Sequence, residues 1–107
     1  MDRITVIDEP NQQFSIILNR RRVSFRLWYN STSDRWSFDM AIDDLPVLTA
    51  RKIVTGVDLL EPFDFGVGAI FALVVTPDSV PDRDGLPAGR VRLYHATAEE
   101  IEAARAA

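Results

Sequence analysis

The chain has 107 residues, 47% hydrophobic and 26% charged, with a net charge of −4 and no cysteine. That length supports one domain, residues 1–107, with a single core burying about two-thirds of the extended surface. The absent cysteines exclude disulfides and thiolate metal sites, and the acidic balance gives no general attraction to polyphosphate.

The start, MDRITVIDEP, lacks the basic-then-apolar order of a signal peptide, so no export address is expected. Residues 4–7 form a short β-branched segment, stopped by Asp8, Glu9 and Pro10. Residues 13–18 alternate, with Phe14, Ile16 and Leu18 on one face and Ser15 and Ile17 on the other, which predicts a strand at least half buried. A tight polar connection over 19–22 follows. In the next segment Val23, Phe25, Leu27 and Tyr29 share a face, opposite Ser24, Arg26 and Trp28. After a six-residue polar loop, 30–35, Trp36, Phe38, Met40 and Ile42 are in phase against Ser37, Asp39 and Ala41. Period two over such a length cannot be helical, so the two segments predict an antiparallel hairpin with one apolar face.

Residues 43–46 read as a turn, and 47–54 as a strand in which Leu48 and Ile53 fall out of phase, predicting a bulge or kink. Gly56 breaks it, 57–60 is a short extended piece, and 61–66 is a bend holding Phe63 and Phe65. Residues 66–75, GVGAIFALVV, are apolar on both faces, the pattern of a strand covered on both sides or lying between subunits. With three prolines and two glycines, 76–89 predicts a long surface loop. Alternation returns over 90–96. Thr97 and Glu100 then form a capping-box pattern that opens a short, peripheral helix over about 97–105. Seven or so short strands and one terminal helix predict an all-β fold, a small antiparallel β-barrel or sandwich. No run approaches the roughly 20 apolar residues of a membrane-spanning helix.

Catalytic chemistry finds little to work with. The single histidine, His95, ends the last strand with no adjacent carboxylate, and reads as a half-exposed surface residue. The acidic pairs Asp8/Glu9, Asp43/Asp44 and Glu99/Glu100 fall in turns or at a helix start, where acids are favoured for backbone reasons. The segment 78–85 lacks the bidentate carboxylate of a calcium loop. No catalytic residue, metal site or cofactor is assigned. The triplet Arg20-Arg21-Arg22, with Arg26 and Trp28, raises one alternative, a small single-stranded nucleic-acid binder of oligonucleotide-binding-barrel type. Stacking platforms need several exposed rings, and only Trp28 turns away from the core face.

An ordered set of segments nevertheless has a family look. These are Pro10-Asn11-Gln12-Gln13-Phe14, Leu27-Trp28-Tyr29-Asn30 and Trp36-Ser37-Phe38-Asp39-Met40, then Leu48-Thr49, Gly56-Val57-Asp58-Leu59-Leu60 and Arg92-Leu93-Tyr94. In this order they resemble the phage baseplate plug proteins of contractile-tailed phages, over roughly residues 4–101. The family often has a glycine in the first hairpin turn, where this chain has Asn19-Arg20-Arg21. The resemblance implies a virion structural protein with a tail-tube-like fold and no catalytic residues. It would be assembled in the host cytoplasm into the tail baseplate near the central hub, joining tube, hub and wedge or sheath proteins, and associating with itself in a ring. Membrane contact is not expected, nor is nucleic acid. Candidate interface residues are Arg26 and Trp28 on the outward hairpin face, Asn30, Asp34 and Arg35 at its loop, Phe63 and Phe65 in the bend, and Asp82 and Arg83 in the long loop.

Overall fold

The computed structural model describes residues 2–61, 63 and 65–106. Its seven strands are β1 (Asp2–Ile4), β2 (Asn11–Leu18), β3 (Arg21–Asn30), β4 (Arg35–Ile42), β5 (Leu45–Lys52), β6 (Ala69–Val74) and β7 (Val91–Ala96), followed by α1 (Ala98–Ala106). They form two antiparallel sheets, a four-stranded one in the order β2-β3-β4-β5 and a three-stranded one in the order β1-β7-β6. The all-β expectation holds in its sandwich form. Among the described residues no ladder closes the two sheets into a barrel; the segment after β5 pairs with the second sheet through the isolated bridges Thr55–Ala72 and Asp58–Phe71.

The period-two pattern sets the layering. In the β3–β4 ladder Val23 lies opposite Ile42, Phe25 opposite Met40, Leu27 opposite Phe38 and Tyr29 opposite Trp36. Each apolar residue therefore meets another across the ladder, and the shared face packs onto the other sheet. Phe14, Phe25 and Phe38 run across β2, β3 and β4 with ring centroids 5.4 and 6.1 Å apart. Ile4, Leu59, Ile70 and Leu93 pack beneath them, leaving only about 10 Å³ of free space at that contact. The buried side chains form one contiguous cluster.

Turn chemistry fixes the register. The two-residue connections Asn19-Arg20 and Asp43-Asp44 all have positive φ (52°, 64°, 50° and 69°), the type I′ geometry that matches strand twist. The expected irregularity in β5 is a bulge: register breaks on both sides of Met40, Ala50 is left-handed (φ 54°), and Asp39 Oδ1 accepts the Ala50 N–H at 2.8 Å. Pro46, expected in a turn, lies inside this edge strand, where a missing donor is tolerated.

Four further expectations are corrected. The N-terminal strand occupies Asp2–Ile4 rather than 4–7; Val6 still reaches the core, while Ile7 is exposed. Residues 57–60 are a turn, because Asp58 Oδ1 accepts the N–H groups of Leu60 and Ile70 and folds Leu59 and Leu60 inward. The long loop 76–89 is not a solvated excursion. Trp36, fully buried, donates its indole N–H to the Asp82 carbonyl at 2.8 Å, Asp82 Oδ1 accepts the Gly85 N–H at 2.7 Å, and Leu86 is buried behind them. A buried indole needs an acceptor, and this loop provides it. Finally His95 is not half-exposed. It is 4% accessible, and a ring nitrogen meets the Val67 carbonyl across the sandwich end.

The helix starts as expected, with Thr97 N–H donating to Glu100 and Glu100 N–H to Thr97 Oγ1, both at 3.1 Å. Gly68 permits the segment before β6 to lie close against the end of β7: φ is +90°, and a Cβ there would lie 2.1 Å from the Ala96 carbonyl oxygen.

Two substitutions test these attributions by urea denaturation. Trp36→Ala should cost about 3–5 kcal/mol through cavity formation and the loss of the Asp82 bond. Arg20→Gly should stabilise by about 0.5–1 kcal/mol, because only the left-handed strain at that turn residue is relieved.

Candidate protein-interaction site

Three surfaces carry the residues singled out for contact. The first is the outward face of the four-stranded sheet. Its side chains form rows across the strands: Asn11, Trp28, Ser37 and Lys52; then Gln13, Arg26 and Asp39; then the small residues Ser15, Ser24, Ala41 and Pro46. The last row sits low between its neighbours, leaving an open trough of about 620 Å³. Ser15 and Ser24 hydroxyls bond each other along it at 2.9 Å. Arg26 lies with its guanidinium 5.1 Å from the Trp28 ring centroid and 3.6 Å from an Asp39 oxygen. Trp28 is half-buried under this arginine. One face of the indole is therefore already covered, and the cation that a stacked base would use is paired within the chain.

The second surface is the end of the sandwich formed by the β3–β4 turn and the 76–89 loop. Asn30 Oδ1 accepts the N–H groups of Thr32 and Ser33 at 2.9 and 3.3 Å, an Asx turn that closes the hairpin. Tyr29 donates its hydroxyl to Asp34, and Arg35 donates to the Asp34 carbonyl at 2.8 Å. Arg83 lies over the Trp36 ring at 5.7 Å and bonds Asp8 at 2.8 Å. Asn30, Asp34, Arg35, Asp82 and Arg83 thus come together, a grouping that pattern reading along the chain does not reveal. Each also has a task inside the fold.

The opposite end carries the third surface. Phe63 and Phe65 stack with centroids 5.5 Å apart; Phe65 packs on the core, and Phe63 remains 52% exposed. Arg21 donates to the Phe65 carbonyl at 3.0 Å, and Asn19 donates to the Gly66 carbonyl at 2.6 Å. The arginine triplet is largely engaged here, with Arg21 at 3.3 Å from Asp43 and Arg22 at 3.7 Å from Asp44. Exposed pairs of this kind contribute little energy, but they hold the two hairpin turns side by side.

No group of three or more metal-ligating side chains occurs among the described residues, and no helix among them is long and apolar enough to cross a membrane.

The Tyr29–Asp34 contact has a measurable signature. The hydrogen bond to Asp34, reinforced by that carboxylate's charge, raises the Tyr29 pKa above its ordinary value of 10.0. A raised value means the neutral phenol is favoured in the folded state. The stabilisation is complete below the unfolded-state value and is lost as pH rises through the folded-state one. Ultraviolet titration of the two tyrosines should show one ionising late, and Asp34→Asn should return it toward the ordinary value.

A family model described as "Cyanophage baseplate Pam3 plug gp18" matches residues 1–99. No curated protein matches significantly. A match over nearly the whole sandwich agrees with the resemblance carried by the ordered segments from Pro10 to Tyr94. The chain belongs to the family of the cyanophage baseplate plug protein.

Proposed function

We propose that the protein is a non-catalytic building block of a contractile tail baseplate, seated near the hub where the tail tube begins. In this reading it joins tube, hub and wedge or sheath proteins, associates with copies of itself in a ring, and resides in the virion after assembly in the host cytoplasm. The supporting observation is the family match over residues 1–99. The role needs no cofactor.

The nine candidate residues are assigned to contact in this reading, with different weights. Phe63 is the strongest anchor, because it is exposed, aromatic and already held in place by Phe65, so little freedom is lost on docking. Trp28 with Arg26 is the second, a preformed cation–aromatic pair beside the trough. Asn30, Asp34, Arg35, Asp82 and Arg83 offer a polar end whose geometry is fixed by internal hydrogen bonds, suited to register rather than to affinity.

The test is complementation of a phage lacking the gene, followed by mass spectrometry of purified particles. The wild-type protein should be found in the tail and should restore plaques. Phe63→Ser should keep the unfolding free energy from urea denaturation within about 0.5 kcal/mol of wild type, as expected for an exposed position, yet reduce incorporation at least tenfold. Absence of the wild-type protein from infectious particles would refute the proposal.

A further inference from the structure

The sandwich has four lateral strand edges, and three are guarded. The edge of β6 is covered by the segment after β5: Gly56 N–H donates to the Ala72 carbonyl at 3.0 Å and Leu59 N–H to the Ile70 carbonyl at 2.8 Å. The edge of β5 is broken by its bulge, Pro46 and Lys52. β1 is only three residues long and carries Asp2 and Arg3. Such devices prevent sheets from adding strands. β2 has none of them. It runs for eight residues, NQQFSIIL, without a charge, proline, glycine or bulge.

The unpaired backbone groups on β2 can be named. The two-residue turn Asn19-Arg20 makes Leu18–Arg21 a hydrogen-bonded pair, and such pairs alternate along the ladder. The 2.8 Å bond from Tyr29 N–H to the Pro10 carbonyl fixes the same phase at the far end. Gln12, Phe14, Ile16 and Leu18 thus bond inward to β3, while the N–H and C=O groups of Asn11, Gln13, Ser15 and Ile17 point out of the edge. None of these four makes a backbone bond to another described residue outside the sheet. On the same strand Ile17 is 68% exposed and Phe14 and Ile16 are only partly buried, beside an open cleft of about 450 Å³ toward β1.

We propose that this edge docks β2 of a second copy of the chain, in a two-fold antiparallel ladder that fuses two four-stranded sheets into one of eight strands. The strand is self-complementary. Of the possible registers, one uses all four outward residues: Asn11 opposite Ile17 and Gln13 opposite Ser15, with the two-fold axis at Phe14. Each outward pair exchanges two bonds, giving about eight hydrogen bonds along the seam. With no charged residue on β2, no like charges meet across the axis, the clash that usually forbids a strand from pairing with itself. The β5 edge of another copy, bulged and proline-bearing, is the poorer partner. This contact is isologous, so it is separate from the heterologous contact that a ring requires.

The full-length isolated protein, studied by sedimentation equilibrium and amide hydrogen exchange, provides a test that does not involve the virion. A concentration-dependent dimer is expected, in which the amides of Gln13, Ser15 and Ile17 exchange more slowly as dimer accumulates. Ser15→Pro removes an outward N–H that the β3 ladder does not use, and should give a monomer with an unchanged far-ultraviolet spectrum. Ser15→Lys brings two ammonium groups together on the diagonal across the axis, and should weaken the dimer about tenfold or more. Gln13→Glu added to Ser15→Lys sets opposite charges face to face and should restore it, even if the proline variant fails to fold. A monomer at every concentration, or a dimer indifferent to Ser15→Lys, would overturn the proposal.

Discussion

The register of the β3–β4 hairpin is the constraint on which the rest depends. Its four apolar pairs put eight large side chains on one face, and a one-residue slip would send the four of one strand to solvent. Both ends are held against such a slip. At one, Asn30 and Asp34 close the turn; at the other, Asp43 N–H bonds the Arg22 carbonyl at 2.9 Å, beyond the last ladder residues. Trp36, at the loop end of this face, then carries the effect beyond the sheet. Its buried indole N–H requires an acceptor, Asp82 supplies one, and the proline-rich loop is drawn in over the end of the sandwich.

Much of this was legible along the chain, and the reasons differ by element. β2, β3 and β4 have one wet and one dry face, so alternation names the inward residues directly, from Phe14 through Ile42. The bulge in β5 shows as Leu48 and Ile53 falling out of phase. The capping box at Thr97 and Glu100 is a local motif with a local mechanism, and it formed as such. What the pattern could not carry is tertiary. The loop 76–89 is rich in proline and aspartate and looks solvated; only the demand of Trp36, distant in sequence, shows why it packs. His95 looks exposed because its partner is the backbone of Val67, which has no sequence signature.

The candidate contact residues divide along the same line. Arg26 and Trp28 are legible as outward because alternation places them there, and Phe63 as a bend aromatic. The grouping of Asn30, Asp34 and Arg35 with Asp82 and Arg83 depends on the Trp36 bond and could not be read beforehand. Membership of the plug family gives these leftovers a meaning that their chemistry alone does not. In the proposed role, ordered polar ends, a supported exposed phenylalanine and an unguarded strand edge would be the points of contact with neighbours.

The central claim, that the inner face of the alternating hairpin makes the core while the outer face and the two ends meet other proteins, is tested most directly by a cryo-electron microscopy reconstruction of the intact tail. The account predicts density for a two-sheet sandwich in the baseplate, with Trp36 enclosed and Phe63 against a neighbouring chain. Density in which Trp36 faces a partner, or in which the sandwich touches nothing at either end, would contradict it.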